Sequence, residues 1–266
     1  MRTPNVKMGL NLQRNIARSL LRAAQHLLIE VTDIVSMEYI NLKGLEDSGK
    51  RMNNEHKGIK IQCQNNHFVT SGLNRDFGYE IRVLSKERLE IHCQKALIYL
   101  IDFIIDTKAV IKPYQTIAYY SWILKLVPHT DFYYDLWELV NDEGLFAEGI
   151  DYTAELISSQ EEECTKRGMR PYFPTFGQKL AISKGVYEGM DCDGVRYPSP
   201  DHMTGWYITT DLYDGNIDSL MVVHYYHLAF KRPDLLTYLA LPHGFRFSKY
   251  ASNSEAWFDV KVFSNN

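Results

Sequence analysis

The groups in this chain equipped for chemistry are a pair of histidines three residues apart, acids crowded into turns, and a cysteine with a histidine ten residues on. His224 and His227 form an H-x-x-H pair, a spacing found among zinc ligands. Leu220 to Leu228 reads as a strand, where residues three apart face opposite sides, so one imidazole should pack, the other meet solvent, and neither bind metal. The run Asp211-Leu-Tyr-Asp-Gly-Asn-Ile-Asp218 spaces carboxylates like a weak calcium loop. It lacks the ligand order and closing glutamate of an EF-hand, which leaves a solvated turn. Asp191-Cys192-Asp193-Gly194 ends in the Asp-Gly of a tight turn. Cys192 and His202 would make a nucleophile and base only if the fold joined them, and sequence supplies no such contact. G-x-S-x-G, H-E-x-x-H, G-x-x-x-x-G-K-[ST] and G-x-G-x-x-G do not occur. The expectation is a chain without catalytic residues, metal or cofactor.

Charge and composition narrow the partners. A formal net charge of -4 over 266 residues gives no broad basic field, which argues against a general grip on nucleic-acid backbone. With 45% hydrophobic and 23% charged residues the chain can bury a core and keep a solvated surface. Cys63, Cys93, Cys164 and Cys192 lie far apart with no C-x-x-C, as expected of reduced thiols in a cytoplasm. Arg18 and Arg22 interrupt the apolar run near the N-terminus, unlike a secretory signal. Wound as a helix, Ile16, Leu20, Ala23 and Leu27 form one apolar stripe opposite Arg14, Arg18 and Arg22, the pattern of a docked surface helix. No apolar run reaches the roughly 20 residues of a membrane span.

The elements that must position these groups read as an α+β chain: a mainly helical N-terminal domain over 1–165, then a mostly antiparallel sheet domain with one packed helix over 166–266. In the first part, Gly58 to Gln62 and His67 to Ser71 are β-like, with Asn65-Asn66 able to turn a hairpin. The strongest helix follows Ser85, a candidate N-cap, and runs to Asp106. Further helices are expected over Thr116 to Val127, ended by Pro128, over Asp131 to Asn141, and over Tyr152 to Arg167. In the second part short β-like runs alternate with turns: Leu180 to Ser183, Gly194 to Tyr197, Gly205 to Thr210, Leu220 to Leu228, Phe245 to Tyr250 and Trp257 to Phe263. One helix begins at Pro233 and closes at Pro242 and Gly244.

Within that second part an ordered series stands out: Val195-Arg196-Tyr197-Pro198, Gly205-Trp206-Tyr207-Ile208, His224-x-x-His227-Leu228, Arg232-Pro233, Tyr238-Leu239-Ala240-Leu241-Pro242-His243-Gly244-Phe245-Arg246-Phe247 and Trp257-Phe258-Asp259. In order and spacing it resembles the bacterial immunity-protein family numbered thirty-three, which accompanies polymorphic toxins. Tyr197, Ala240 and Phe245 stand where that family usually has His, Gly and Trp. The resemblance implies a cytoplasmic inhibitor that binds one cognate toxin without catalysis. Spaced like core positions, Trp206, Tyr207, Leu239, Leu241 and Phe247 are expected to be scaffold, with Gly205 and Gly244 as backbone necessities. The toxin-facing surface is then expected in the acidic, aromatic turn of Asp211, Tyr213, Asp214 and Asp218, joined by Asp201. Two other functions fit the sequence: a hydrolase that removes a toxin-made modification of ADP-ribose type through the Asp191 to Asp218 carboxylates, and an interaction module with no toxin.

Overall fold

The computed structural model describes residues 54–85, 89–129, 132–251 and 253–264. The helix expected around Arg14 to Leu27 lies outside them. The described residues form two units: 179–223 with 243–264, and 54–178 with 224–242.

In the larger unit eight strands form one mixed sheet. They are β1 (Glu55–His56), β2 (Ile59–Gln64), β3 (His67–Ser71), β4 (Glu80–Leu84), β5 (Thr116–Tyr119), β6 (Trp122–Pro128), β7 (Tyr133–Leu139) and β8 (Phe146–Glu148), ordered β1-β2-β3-β4-β7-β6-β5 with β8 on β7. The Asn65-Asn66 hairpin forms as expected; both residues take positive φ (48° and 61°), which asparagine tolerates and a tight two-residue turn requires. A short helix α1 (Asn74–Phe77) precedes β4, and α2 (Glu90–Thr107) follows it, burying Cys93, Ala96, Leu97, Leu100, Ile101 and Ile104. The helix α3 (Asp151–Thr165) starts where Glu138 accepts hydrogen bonds from the backbone N–H groups of Tyr152 (3.0 Å) and Thr153 (2.7 Å) and from the Thr153 hydroxyl (2.8 Å). That carboxylate satisfies donors which a helix start leaves open.

A mainly helical N-terminal domain is therefore incorrect. Thr116 to Val127 folds as the β5–β6 hairpin, turned at Tyr120 (φ 51°), and the Asp131 to Asn141 region supplies β7. Trp122, Leu124 and Leu126 are buried while Ile123, Lys125 and Val127 are half-buried, a period of two. Apolar residues are so dense here that a helical period fits the same letters. The aromatic and β-branched content of Ile117, Tyr119, Tyr120, Trp122, Ile123 and Val127 favours the extended chain.

The other sheet has six strands, β9 (Lys179–Ile182), β10 (Cys192–Arg196), β11 (Met203–Thr209), β12 (Met221–His224), β13 (Phe245–Lys249) and β14 (Ser254–Phe258), ordered β12-β9-β11-β10-β13-β14. It too is mixed: β10 pairs antiparallel with β11 and β13, and β13 with β14, but β9 lies parallel to β11. Chain direction is not written in period-two alternation, so the parallel pair had no local signal. After β12 the chain forms α4 (Tyr225–Lys231) and a 3-10 helix, Pro233–Tyr238; after β14 it forms α5 (Val260–Ser264). Among the described residues no helix is long and apolar enough to cross a membrane.

Candidate functional site

Two kinds of residue must be separated in the second sheet: those fixed by packing and those left at its surface. Arg196 is fully buried, donates from Nε to the Thr204 carbonyl (2.8 Å) and lies 5.8 Å from the Trp206 ring. A Cβ on Gly194 would stand 2.1 Å from Cε1 of Phe247, whose ring also packs on Trp206 at 5.3 Å. Gly205 has φ +83°, and a Cβ there would fall 2.0 Å from the Tyr197 carbonyl oxygen. Backbone bonds tie Gly244 N–H to the Arg196 carbonyl and Asp259 N–H to the Gly244 carbonyl, both 2.9 Å, while Arg246 Nε donates to Asp259 Oδ2 at 2.7 Å. Four of the pieces of the residue series thus interlock within this one sheet. Their chemistry is consumed in holding it together.

The pieces from His224 to Pro242 do the same in the larger unit. Leu228, Leu235, Leu236, Leu239, Ala240 and Leu241 are buried. Gln160 on α3 accepts from the Ser121 hydroxyl (2.7 Å) and donates to the Leu236 carbonyl (2.8 Å), and the Tyr172 N–H reaches the Ala240 carbonyl (2.7 Å).

His224 and His227 do not face opposite sides. The strand ends at His224 and α4 begins at the next residue, so the two rings meet edge to face with centroids 5.9 Å apart, and Tyr226 stacks on His224 at 5.3 Å. Among the described residues, no group of three or more His, Cys, Asp or Glu is placed to hold a metal ion. Cys192 is buried at the start of β10, whereas His202 is exposed just before β11. Since β10 and β11 run antiparallel with Asp193 opposite Thr209, these two residues sit at opposite ends of the hairpin.

The same topology sorts the expected surface. Asp211, Tyr213, Asp214 and Asp218 follow the end of β11, while Asp201 precedes its start. Seven residues of strand, roughly 20 Å at 3.3 Å each, separate them. Asp201 is exposed at the far end and is not brought to the others. Thr210 anchors the near loop: its N–H donates to the Ser183 hydroxyl (2.9 Å) and its own hydroxyl to the Lys184 carbonyl (2.6 Å). Asp214 accepts from Asn216 N–H (2.8 Å) and from the Ser219 hydroxyl (3.0 Å), and the Asn216 side chain accepts from Asp218 N–H (3.1 Å). These bonds close the loop on itself and hold the Asp214 carboxyl below its ordinary range. Tyr213 is half-buried, with its hydroxyl enclosed. Burial and the Asp214 charge raise its pKa.

Three further residues join this end. Because β10 is antiparallel to both neighbours, its start meets the ends of β11 and β13, which places Asp191 and Asp193 beside Asp211 and Tyr250. The Tyr250 hydroxyl donates to Asp193 Oδ2 at 2.9 Å, and Ala251 N–H to Asp191 Oδ1 at 3.1 Å. Desolvation by close neighbours, together with the Asp211 charge, raises the Asp193 carboxyl. Desolvation, the bond to Asp193 and the surrounding carboxylates push Tyr250 up to about 12. Asp193 had one sequence signal, its place between buried Cys192 and buried Gly194, which turns it outward on the strand. Tyr250 had none, because its role depends on strand order.

The assembled end is a carboxylate surface that also carries two tyrosines. No curated protein and no solved structure matches the chain. Residues 159–259 match the family model of the Imm33-like domain, so the immunity-protein resemblance read from the residue series holds for this C-terminal part of the chain.

Proposed function

We propose that the chain is an immunity protein, acting in the cytoplasm as a stoichiometric, non-enzymatic inhibitor of one cognate bacterial toxin. The observation that carries this reading is the Imm33-like match over 159–259, the stretch in which the recognisable residues are spent on packing. A protein whose family signature is scaffold is free to vary its surface, as specificity for one partner demands. The toxin-facing surface in this reading is the end of the second sheet carrying Asp211, Tyr213, Asp214 and Asp218, with Asp191, Asp193 and Tyr250. Asp201 would contribute only as a separate contact. Carboxylates there would steer association with a basic cleft, and the tyrosines would anchor it.

The test is titration of purified chain against any toxin domain that a neighbouring gene encodes. Protection should reach completion at one equivalent, with a stable complex and a dissociation constant of about nanomolar or below. Rescue by trace amounts would instead assign the chain to removal of a toxin-made modification, and absence of any complex would leave it without a toxin partner. Reversing charge at Asp214 and Asp218 should slow association about tenfold or more at low salt; unchanged binding would move the interface elsewhere.

A further inference from the structure

The second sheet carries large side chains on both faces. On one, Arg196, Trp206, Ile208 and Phe247 are fully buried. A sheet packed on one side ordinarily turns polar residues to the other. Strand register shows a different face here: Trp257 on β14 pairs with Arg246 on β13, Arg246 with Val195 on β10, Val195 with Tyr207 on β11, and Tyr207 with Ala181 on β9. Paired residues share a face, so these side chains make one row across the sheet, roughly 19 Å long at the usual strand spacing. Tyr197, two residues after Val195, widens the row and meets the Tyr207 ring at 5.6 Å. One end of the row is covered and the other is open. Ile217 and Leu220 of the acidic loop pack against Ala181 and Tyr207, whereas Val195 and Arg246 are half-buried and Trp257 is 40% exposed.

We infer that this row is the apolar centre of the interface with the toxin, an inference that rests on the proposed function. Charge selects the partner. Alternation puts Asp193 and Glu255 on the same face as Val195 and Trp257, two residues along their strands, and the loop over the covered end carries Asp211, Asp214 and Asp218. Arg246, within the row, is paired with Asp259 at 2.7 Å. Acids therefore border the row on two sides, which disfavours a second copy of the same acidic face. The complement is a toxin face with an apolar or aromatic patch ringed by lysine and arginine. An apolar centre inside a polar rim is the build of specific interfaces, in which a few buried aromatic side chains carry much of the affinity. Trp257 belongs to the residue series that resembles the immunity family and the bordering acids do not, so affinity and choice of partner fall to different residues.

Association and dissociation rates of the full chain with the toxin domain used in the titration test the assignment. Trp257→Ala should speed dissociation about tenfold or more while changing association less than about twofold. Glu255→Gln should act on the other rate, slowing association at low salt with dissociation little changed. Phe258→Ala is the control: Phe258 is 43% exposed but points to the opposite face of β14, so both rates should stay as in the wild type. If Trp257→Ala does not fold, Val195→Thr, which keeps the strand preference and adds a hydroxyl to the row, should likewise speed dissociation. Unchanged dissociation in Trp257→Ala, or an equal change in Phe258→Ala, overturns the row while the toxin reading stands. No complex with the wild type removes the toxin reading and the row with it. Light scattering at twice the chain mass for the wild type and once for Trp257→Ala would give the row to a second copy, which overturns the inference as well.

Discussion

At the centre of the second sheet Gly194 lies so close under the Phe247 ring that a methyl group would stand 2.1 Å from it; a few residues away Asp211, Asp214 and Asp218 stand exposed to solvent. Both regions are built on β10 and β11. In the first, each side chain is fixed by several others, so a change of one atom is felt throughout. In the second, side chains are fixed only by their own loop, so residue type can change while the backbone stays. A family can therefore keep its recognisable residues inside and its recognition outside.

The sharpest way to break that contrast is to place one methyl group in the interior. Gly205→Ala combines a positive φ with a Cβ 2.0 Å from the Tyr197 carbonyl oxygen, a backbone atom that cannot swing aside. A loss of about 3–4 kcal/mol is expected, read as a large drop in the urea midpoint or as insoluble protein. Retention of wild-type stability would mean that the Val195–Tyr197 and Gly205–Ile208 pieces do not interlock as described.

A somewhat smaller loss should follow in the larger unit. Gln160→Leu keeps the volume but strands the buried Ser121 hydroxyl and the Leu236 carbonyl, at about 2–3 kcal/mol. The comparison is informative because the Imm33-like match, 159–259, draws on both units. If interior positions in the two units respond alike, the matched residues serve packing in each.

Next comes an effect of pH. Burial, with the Arg196 charge adding, lowers His243 to about 4 from an ordinary value of 6.5. The unfolded chain therefore binds the proton more readily between those values, so stability is full above about 6.5 and declines as pH falls toward about 4. Because the imidazole is only half-buried, solvent screening trims the contribution to on the order of 2 kcal/mol. As pH falls from about 6.5 to about 4 the urea midpoint of the wild type should drop more steeply than that of His243→Gln, while above neutrality the two slopes should match; identical slopes throughout would remove His243 from the account.

What the sequence disclosed follows the same division. Leu180 to Ser183, Gly205 to Thr210 and Phe245 to Tyr250 were readable as strands because turns bracket short apolar and aromatic runs; the first two are buried on both faces, and only the third alternates. Trp122 to Pro128 was not, since its apolar density satisfies helical and extended periods at once, and only burial along the strand separates them. At the candidate surface, Asp211, Tyr213, Asp214 and Asp218 were legible as one loop because they are close in sequence. Asp193 and Tyr250, 57 residues apart, meet only because β13 lies beside β10, and Asp201 drops away because a strand intervenes. Local turns are written in neighbouring letters; sheet order is written in none.

The smallest expected effect on stability is the one that most sharpens the contrast. Asp214 is fully exposed and its bonds close only its own loop, so Asp214→Asn should leave the thermal midpoint nearly unmoved at neutral pH. Its depressed pKa gives the sign of what remains: any contribution is present above the unfolded carboxyl value and is lost as pH falls through the folded one. Asparagine retains an acceptor oxygen for Asn216 N–H and the Ser219 hydroxyl, so the loop keeps its shape while the charge is gone. Under the proposed function, association with a basic toxin should then slow and lose part of its salt dependence, with dissociation much less changed. A stability loss comparable to that of Gly205→Ala would erase the distinction between interior and surface, because the loop would then be part of the framework it was thought merely to decorate.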